Sequence, residues 1–152
     1  MTTTTTMSEL PGLVGTELGS SEWFEVTQEA VNTFAEATGD HQWIHVDVER
    51  AKKESPFGGP IAHGYLTLSL LVPMLAEVLV VTDTAMGVNY GLNKVRFPSP
   101  VPVGSKVRAS ATLTDVTEIA GGLQYVLAVT VEREGGDKPV CIAEPVFRYY
   151  GG

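Results

Sequence analysis

The sequence predicts an α+β fold in which an antiparallel sheet wraps around a long, buried central helix. The run from Gly64 to Val81 carries apolar residues around most of a helix circumference, and a helix that is apolar nearly all round is buried. The second half of the chain alternates apolar and polar residues, as expected for strands with one buried face. A buried helix followed by consecutive strands favours a helix layer packed on a sheet.

The strand pattern begins at residues 86–97 and changes phase between Leu92 and Val95. An odd step in an alternating strand predicts a bulge. Glycine-containing turns separate the later apolar segments, and this spacing predicts an antiparallel meander. These later strands are expected at residues 107–113, 123–131 and 140–150.

The first half of the chain carries helix start and stop signals. Thr27 is expected to cap the start of a helix that ends at Gly39. Asp47 is expected to cap the start of a second, short helix. Within the apolar run, Pro73 has no N–H to offer the Ser69 carbonyl, so a kink or a water is expected there.

The length of 152 residues predicts a single domain. Residues 1–10, which include five consecutive threonines, are expected to form a disordered tail, and residues 11–152 the domain. The segment has no charged region before an apolar stretch, so it does not resemble a signal peptide. No membrane association is expected, because the apolar run is interrupted and short of a membrane span.

Charge and cysteine content restrict the partners. Eighteen acidic and ten basic residues give a net charge of −8, which argues against nucleic acid as a ligand. Cys141 is the single cysteine, so no internal disulfide can form and a reducing, cytoplasmic location is expected.

The residues most suited to chemistry lie between positions 40 and 64. Asp40 and His45 are separated by five positions just after a helix-ending glycine, and His63-Gly64 opens the apolar helix. General acid–base chemistry on a carbonyl compound requires a carboxylate, an imidazole and an oxyanion donor. Taken singly, Asp40 could be a solvated turn residue, His45 a packed histidine and Gly64 a close-packing residue; together they favour a catalytic site.

A metal site is not expected. His41, His45 and Asp47 offer ligand atoms, but the glycine before them makes one continuous helix that presents both histidines doubtful. The chain has no cysteine cluster and no HExxH pattern. It also lacks the GxSxG sequence of a serine hydrolase.

These residues form a pattern that closely resembles the signature of the MaoC-like (R)-specific enoyl-CoA hydratases and dehydratases. The resemblance covers roughly residues 23–110. Its matching segments are Gly39-Asp40, Ile44-His45-Val46-Asp47, Phe57-Gly58, Ile61-Ala62-His63-Gly64, Ser69 and Asn93-Lys94-Val95-Arg96-Phe97-Pro98.

The resemblance implies a hot-dog fold, a homodimer and the reversible hydration of a trans-2-enoyl-CoA to a (3R)-3-hydroxyacyl-CoA without a cofactor. Asp40 and His45 would be the catalytic dyad that activates one water. Gly64, with His63 beside it, would bind the substrate, the Gly64 N–H contacting the thioester oxygen. Gln42 stands where the family commonly has asparagine and would support the dyad by hydrogen bonding as asparagine does, and the bulky Trp43 follows where the family has proline.

Five further residues have two interpretations each. Ser69 is either a small packing residue or a supporting donor that holds the Asp40 carboxylate. Lys94 and Arg96, with Lys106 and Arg108, are either ordinary outward-facing strand charges or a patch for the phosphates of coenzyme A.

Two other functions remain as alternatives. A hot-dog acyl-CoA thioesterase would act on the same ligands by hydrolysis, and a non-catalytic acyl-thioester-binding protein would not turn them over. The spacing of Asp40 and His45, with Ala62-His63-Gly64, favours a hydratase.

Overall fold

The computed structural model describes residues 1–151. The strands are β1 Thr3–Thr5, β2 Glu17–Ser20, β3 Phe24–Glu25, β4 Leu79–Val81, β5 Thr84–Arg96, β6 Lys106–Ile119, β7 Gly122–Arg133 and β8 Cys141–Gly151. The helices are α1 Gln28–Thr38, α2 Trp43–Val46, α3 Val48–Glu54, α4 Gly64–Ser69 and α5 Leu71–Ala76, with a 3₁₀ turn at Leu10–Leu13.

The main sheet has six strands in the order β2-β6-β7-β8-β5, with β3 also paired to β6. All its pairs are antiparallel. The predicted meander is confirmed as β6, β7 and β8, and the turns between them use Gly121 at φ +79° and Gly135 at φ +77°, a region that favours glycine. The predicted bulge is also confirmed, since the register of β5 shifts between Leu92 and Val95.

The helices α4 and α5 pack their apolar side chains against the sheet. Met74 of α5 is fully buried, and it belongs to the same core cluster as Leu113 of β6 and Leu127 of β7. This helix layer on an antiparallel sheet confirms the α+β class and the hot-dog arrangement.

The helix expected from Gly64 to Val81 is confirmed as far as Ala76, with an interruption where a kink is expected, but its last residues are not helical. The chain forms two six-residue helices separated at Leu70, followed by strand β4. Pro73 explains the break, because it cannot donate to the Ser69 carbonyl. The run is also not buried all round: Tyr65 is 72% exposed.

The disordered tail expected for residues 1–10 is also wrong. Thr3–Thr5 pair in parallel with Leu79–Val81, and Leu10 is fully buried. Threonine is β-branched and suits a strand, while Leu10 adds apolar surface to the core. The interpretation of the rest of the chain as one domain stays a prediction.

Strand β5 differs from the expected pattern in that its apolar side chains are exposed. It is an edge strand with β8 as its one partner in the sheet, and its apolar side chains Met86, Val88, Tyr90 and Leu92 are 39–57% exposed. Their alternation predicted the strand, and apart from Arg148, which lies over the Tyr90 ring, these side chains remain largely open to solvent.

Three helix-terminus signals fix the helices on either side of the loop that carries the candidate catalytic residues. Thr27 Oγ1 accepts a hydrogen bond from Ala30 N at 3.1 Å, and Gly39 at φ +85° ends α1. Asp47 Oδ1 accepts from Arg50 N at 3.1 Å and starts α3. All three predicted signals are confirmed, and they set both ends of the segment between α1 and α3.

None of the helices in residues 1–151 is long and apolar enough to span a membrane.

Candidate active site

Asp40 lies directly after α1 with its carboxylate exposed to solvent. Its Oδ1 accepts a hydrogen bond from Gln42 N at 3.4 Å. The support that Gln42 gives is therefore a main-chain N–H, and its side chain makes no capping bond to α2.

His45 lies in α2 and is 6% exposed. Its Nδ1 is 2.6 Å from the Ile61 carbonyl oxygen; a carbonyl only accepts, so Nδ1 carries the hydrogen and Nε2 is the free, basic nitrogen. Burial lowers the pKa of His45, as does His63 beside it, while the Ile61 carbonyl and the Asp40 charge raise it; the balance is a lowered pKa. A proton acceptor is therefore present near neutral pH.

The helix that carries His45 is anchored from α1. Gln28 Nε2 donates to the His45 carbonyl at 2.8 Å. The Arg50 guanidinium lies over the ring of Trp43 at the start of α2. Its carbon Cζ is 4.2 Å from the centroid of the Trp43 ring. Arg50 in turn pairs with Glu54 at 2.6 Å. The bulky side chain between the dyad residues thus has its own partner on α3.

The dyad predicted from the sequence is assembled together with His63. Asp40, His45 and His63 each contribute a polar side-chain atom, and these three atoms lie within 4.8 Å of one another. Among the described residues no direct hydrogen bond joins the Asp40 and His45 side chains. One water can bridge polar atoms at this separation, because each hydrogen bond spans about 2.8 Å.

His63 is buried, and the contacts of its ring are with the residues of the predicted dyad. It is 2% exposed, and its Nε2 donates to the Asp40 main-chain carbonyl at 3.0 Å. Its ring stacks on His45 with centroids 3.9 Å apart. The side chain therefore supports the dyad residues in this conformation, unlike the substrate contact that its sequence position predicts.

Gly64 begins α4 and lines a cavity of about 420 Å³ with Phe57, Thr67 and Phe97. A Cβ at Gly64 would lie 3.2 Å from the Phe97 ring, which is tight for a side chain. The first N–H groups of a helix have no acceptor within the helix. Gly64 thus brings a main-chain donor to the cavity wall, although Asp40 and His45 are not among the lining residues.

Ser69 does not hold Asp40 in this structure. It is exposed, and its Oγ donates to the Tyr65 carbonyl one turn earlier at 2.7 Å. The packing interpretation, in which a helical serine bonds back to the main chain, is the one that the structure supports.

The four basic strand residues do not form one patch. Lys106 and Arg108 lie on β6, and two strands separate them from β5. Arg108 pairs with Glu132 and lies over Trp23. Lys94 and Arg96 are exposed on β5, and Arg96 precedes Phe97 of the cavity wall.

The cluster of Asp40, His45 and His63 is poorly arranged for a metal ion. One nitrogen of each ring already faces a backbone carbonyl. The rings stack at an interplanar angle of 25°, so their remaining lone pairs lie in nearly parallel planes, whereas metal ligands converge on one point. Asp47 is used as a helix cap. The absence of a metal stays a prediction that this geometry favours.

Two supporting contacts were not predicted from the sequence. The Ile61 carbonyl and the Phe34 ring, which lies 4.8 Å from the His63 ring, both contribute to the site. Ile61 acts through its main-chain carbonyl, and a pattern of side-chain types cannot predict a main-chain contact. Phe34 is a partly buried residue of α1 that also packs against the core, and its residue type does not distinguish a site contact from a core contact.

Known proteins resemble the chain over nearly its whole length. The family model described as "MaoC like domain" matches residues 9–134. The chain is 50% identical over 150 residues to "3-hydroxyacyl-thioester dehydratase Z" of Mycobacterium tuberculosis, covering 98% of this chain and 99% of the relative. It is 47% identical over 140 residues to "Nodulation protein N" of Rhizobium leguminosarum, covering 90% and 86%.

A solved structure supports the fold. The (R)-hydratase from A. caviae, described as involved in PHA biosynthesis, superposes with a TM-score of 0.71 at 25% identity, covering 88% of this chain and 94% of that one. The sequence signature, the hot-dog architecture and the matched family model agree, and the chain belongs to the MaoC-like dehydratase family.

Proposed function

We propose that the protein catalyses the reversible hydration of trans-2-enoyl-CoA to (3R)-3-hydroxyacyl-CoA. The observation that carries this proposal is the Asp40–His45 pair, with polar atoms within 4.8 Å and a free His45 Nε2. The identity to a 3-hydroxyacyl-thioester dehydratase supports the reaction type.

The mechanism uses the chain's own groups. A water held between Asp40 and His45 loses a proton to the dyad while its oxygen bonds to C3. The electrons of the C2–C3 double bond move to the thioester oxygen, where the Gly64 N–H stabilises the enolate charge. The dyad then returns a proton to C2, so that the product differs from the substrate by one water and the protein is unchanged.

Several features favour coenzyme A as carrier and a cytoplasmic location. Lys94 and Arg96 are exposed beside the Phe97 wall of the cavity, where cations would contact phosphates. Cys141 is buried and free, which suits a reducing compartment.

A homodimer is proposed on the strength of strand β5. Its unpaired edge and its exposed apolar side chains would be covered by a second copy, and an open edge of this kind is otherwise prone to non-specific pairing.

An assay with crotonyl-CoA tests the function. Hydration predicts loss of the enoyl absorbance without release of free thiol, and chiral analysis should find the R product. Thiol release would instead indicate a thioesterase, and no turnover would indicate a binding protein. The control is His41→Gln, because exposed His41 neighbours Asp40 but has no role in the mechanism; this variant should keep full activity.

A further inference from the structure

The His63 side chain takes no part in capping α4. The cap is made by its main-chain carbonyl, which accepts from Leu66 N at 3.1 Å and Thr67 N at 3.2 Å. The ring is buried and points to other partners. Buried polar side chains are normally hydrogen-bonded, so its bonds indicate its role.

One nitrogen of His63 has a partner and the other has none. Nε2 lies 3.0 Å from the Asp40 carbonyl oxygen, so Nε2 carries the hydrogen. Nδ1 is buried without a partner among residues 1–151. Leaving an acceptor unpaired is unfavourable, and an apolar residue of similar size would avoid it. The contribution specific to histidine here is the Nε2–H.

The ring of His63 also fixes the ring of His45. The two stack with centroids 3.9 Å apart and planes at 25°, while Phe34 contacts the His63 ring at 4.8 Å. His45 is held at its edge by the Ile61 carbonyl, two positions before His63. The segment from Ile61 to Gly64 therefore orients His45, tethers Asp40 and presents the donor for the thioester oxygen.

We propose that His63 is a positioning residue that holds the Asp40 main chain by its Nε2–H and the His45 ring by stacking, without contacting the substrate. This inference rests on the proposed hydratase function for its kinetic consequence, although the geometry it assigns does not depend on turnover.

Three variants separate the hydrogen bond from the ring. His63→Gln retains an N–H that can reach the Asp40 carbonyl, His63→Asn is too short to reach it, and His63→Phe retains a ring without the donor. We expect kcat to fall roughly 10- to 100-fold in the asparagine variant, which loses both contacts, as for a small misplacement of reacting groups, and by a smaller factor in the glutamine and phenylalanine variants, which each lose one contact. KM should change little, because His63 does not line the cavity.

Three kinetic outcomes would contradict the proposed role of His63. A wild-type kcat for His63→Asn would overturn the role of the hydrogen bond, as would a glutamine variant no better than the asparagine one. A raised KM with an unchanged kcat would assign His63 to substrate contact instead. Circular dichroism spectra identify a variant that fails to fold.

Nitrogen-15 NMR of the histidine rings tests the geometry without turnover. In the wild-type protein His63 should be the Nε2–H tautomer and His45 the Nδ1–H tautomer, and the His45 ring signals should shift in His63→Asn. The opposite His63 tautomer would overturn the inference. If the wild-type protein does not hydrate crotonyl-CoA but shows these tautomers, the proposed function fails and the positioning role stands.

Discussion

The Nδ1 of His45 lies 2.6 Å from the Ile61 carbonyl oxygen, and this contact leaves Nε2 as the basic nitrogen of the ring. Burial is the largest influence on this imidazole and lowers its pKa, assisted by His63, against the raising effects of the Ile61 carbonyl and Asp40. His45 is therefore a base that stays uncharged into mildly acidic solution.

The pH dependence of hydration should follow from this. We expect the acid limb of the kcat/KM profile to have an apparent pKa below the ordinary histidine value of about 6.5. Stopped-flow or steady-state rates from pH 5 to 8 measure it. An acid limb centred above pH 7 would contradict the assignment of His45 as the base.

The stability of the fold should depend on the same group. The folded-state pKa of His45 is lower than the unfolded-state value of about 6.5, so the unfolded chain binds the proton more readily. The contribution of His45 to the free energy of unfolding is thus fully present above the unfolded-state pKa. It decreases as the pH falls from the unfolded-state pKa toward the folded-state pKa. Urea denaturation should show a smaller pH-dependent loss for His45→Gln than for the wild-type protein, and equal losses would argue against the shift.

Removal of either dyad residue should abolish most of the activity. Asp40→Asn and His45→Ala are each expected to reduce hydration by roughly 10²–10⁴-fold, the usual effect of losing a general acid–base group. The double variant should lose little more than either single one, because the two residues act as a unit. Near-normal turnover of folded Asp40→Asn protein would refute its role.

Ser69→Ala should leave catalysis nearly intact. The hydroxyl bonds to the Tyr65 carbonyl rather than to Asp40, so kcat is expected within a few-fold of wild type and the product should remain R. The same crotonyl-CoA assay with chiral analysis measures both. A variant as inactive as Asp40→Asn would show that Ser69 acts on the dyad in a conformation other than this one.

A charge on strand β5 should prevent assembly. Val88→Glu places a carboxylate on the exposed face of the edge strand and should give a monomer by light scattering, whereas the wild-type protein should be a dimer. Val80→Glu on β4 is the matched control, because both valines are 39% exposed. A wild-type monomer with full activity, or dissociation by both variants, would contradict an interface on β5.

The sequence predicted the parts of the fold that depend on local chemistry. The glycine turns at Gly121 and Gly135 and the caps at Thr27 and Asp47 act within a few residues, so the pattern alone placed the meander and the loop around Asp40 and His45. The sequence also singled out Asp40 and His45, because a carboxylate and an imidazole are recognisable by residue type and spacing, and the structure places their polar atoms within 4.8 Å.

Features set by distant or main-chain partners were not predicted. The threonines of β1 became ordered because they pair with β4, far along the chain. The role of Ile61 depends on a carbonyl that every residue possesses. The position of Ser69 on an exposed turn depends on how α4 rotates against the sheet, and helical periodicity in an almost wholly apolar run does not specify that rotation.

The pairing of β1 with β4 closes a loop that runs from Thr3 to Val81. Three residue pairs, from Thr3↔Leu79 to Thr5↔Val81, join its ends, and Asp40, His45, His63 and Gly64 all lie between them. Closing a long loop costs conformational entropy that increases only slowly with length. A pairing of two three-residue strands can therefore close a loop of this length. Amide hydrogen exchange at Leu79–Val81 would therefore report how often this loop opens at its ends.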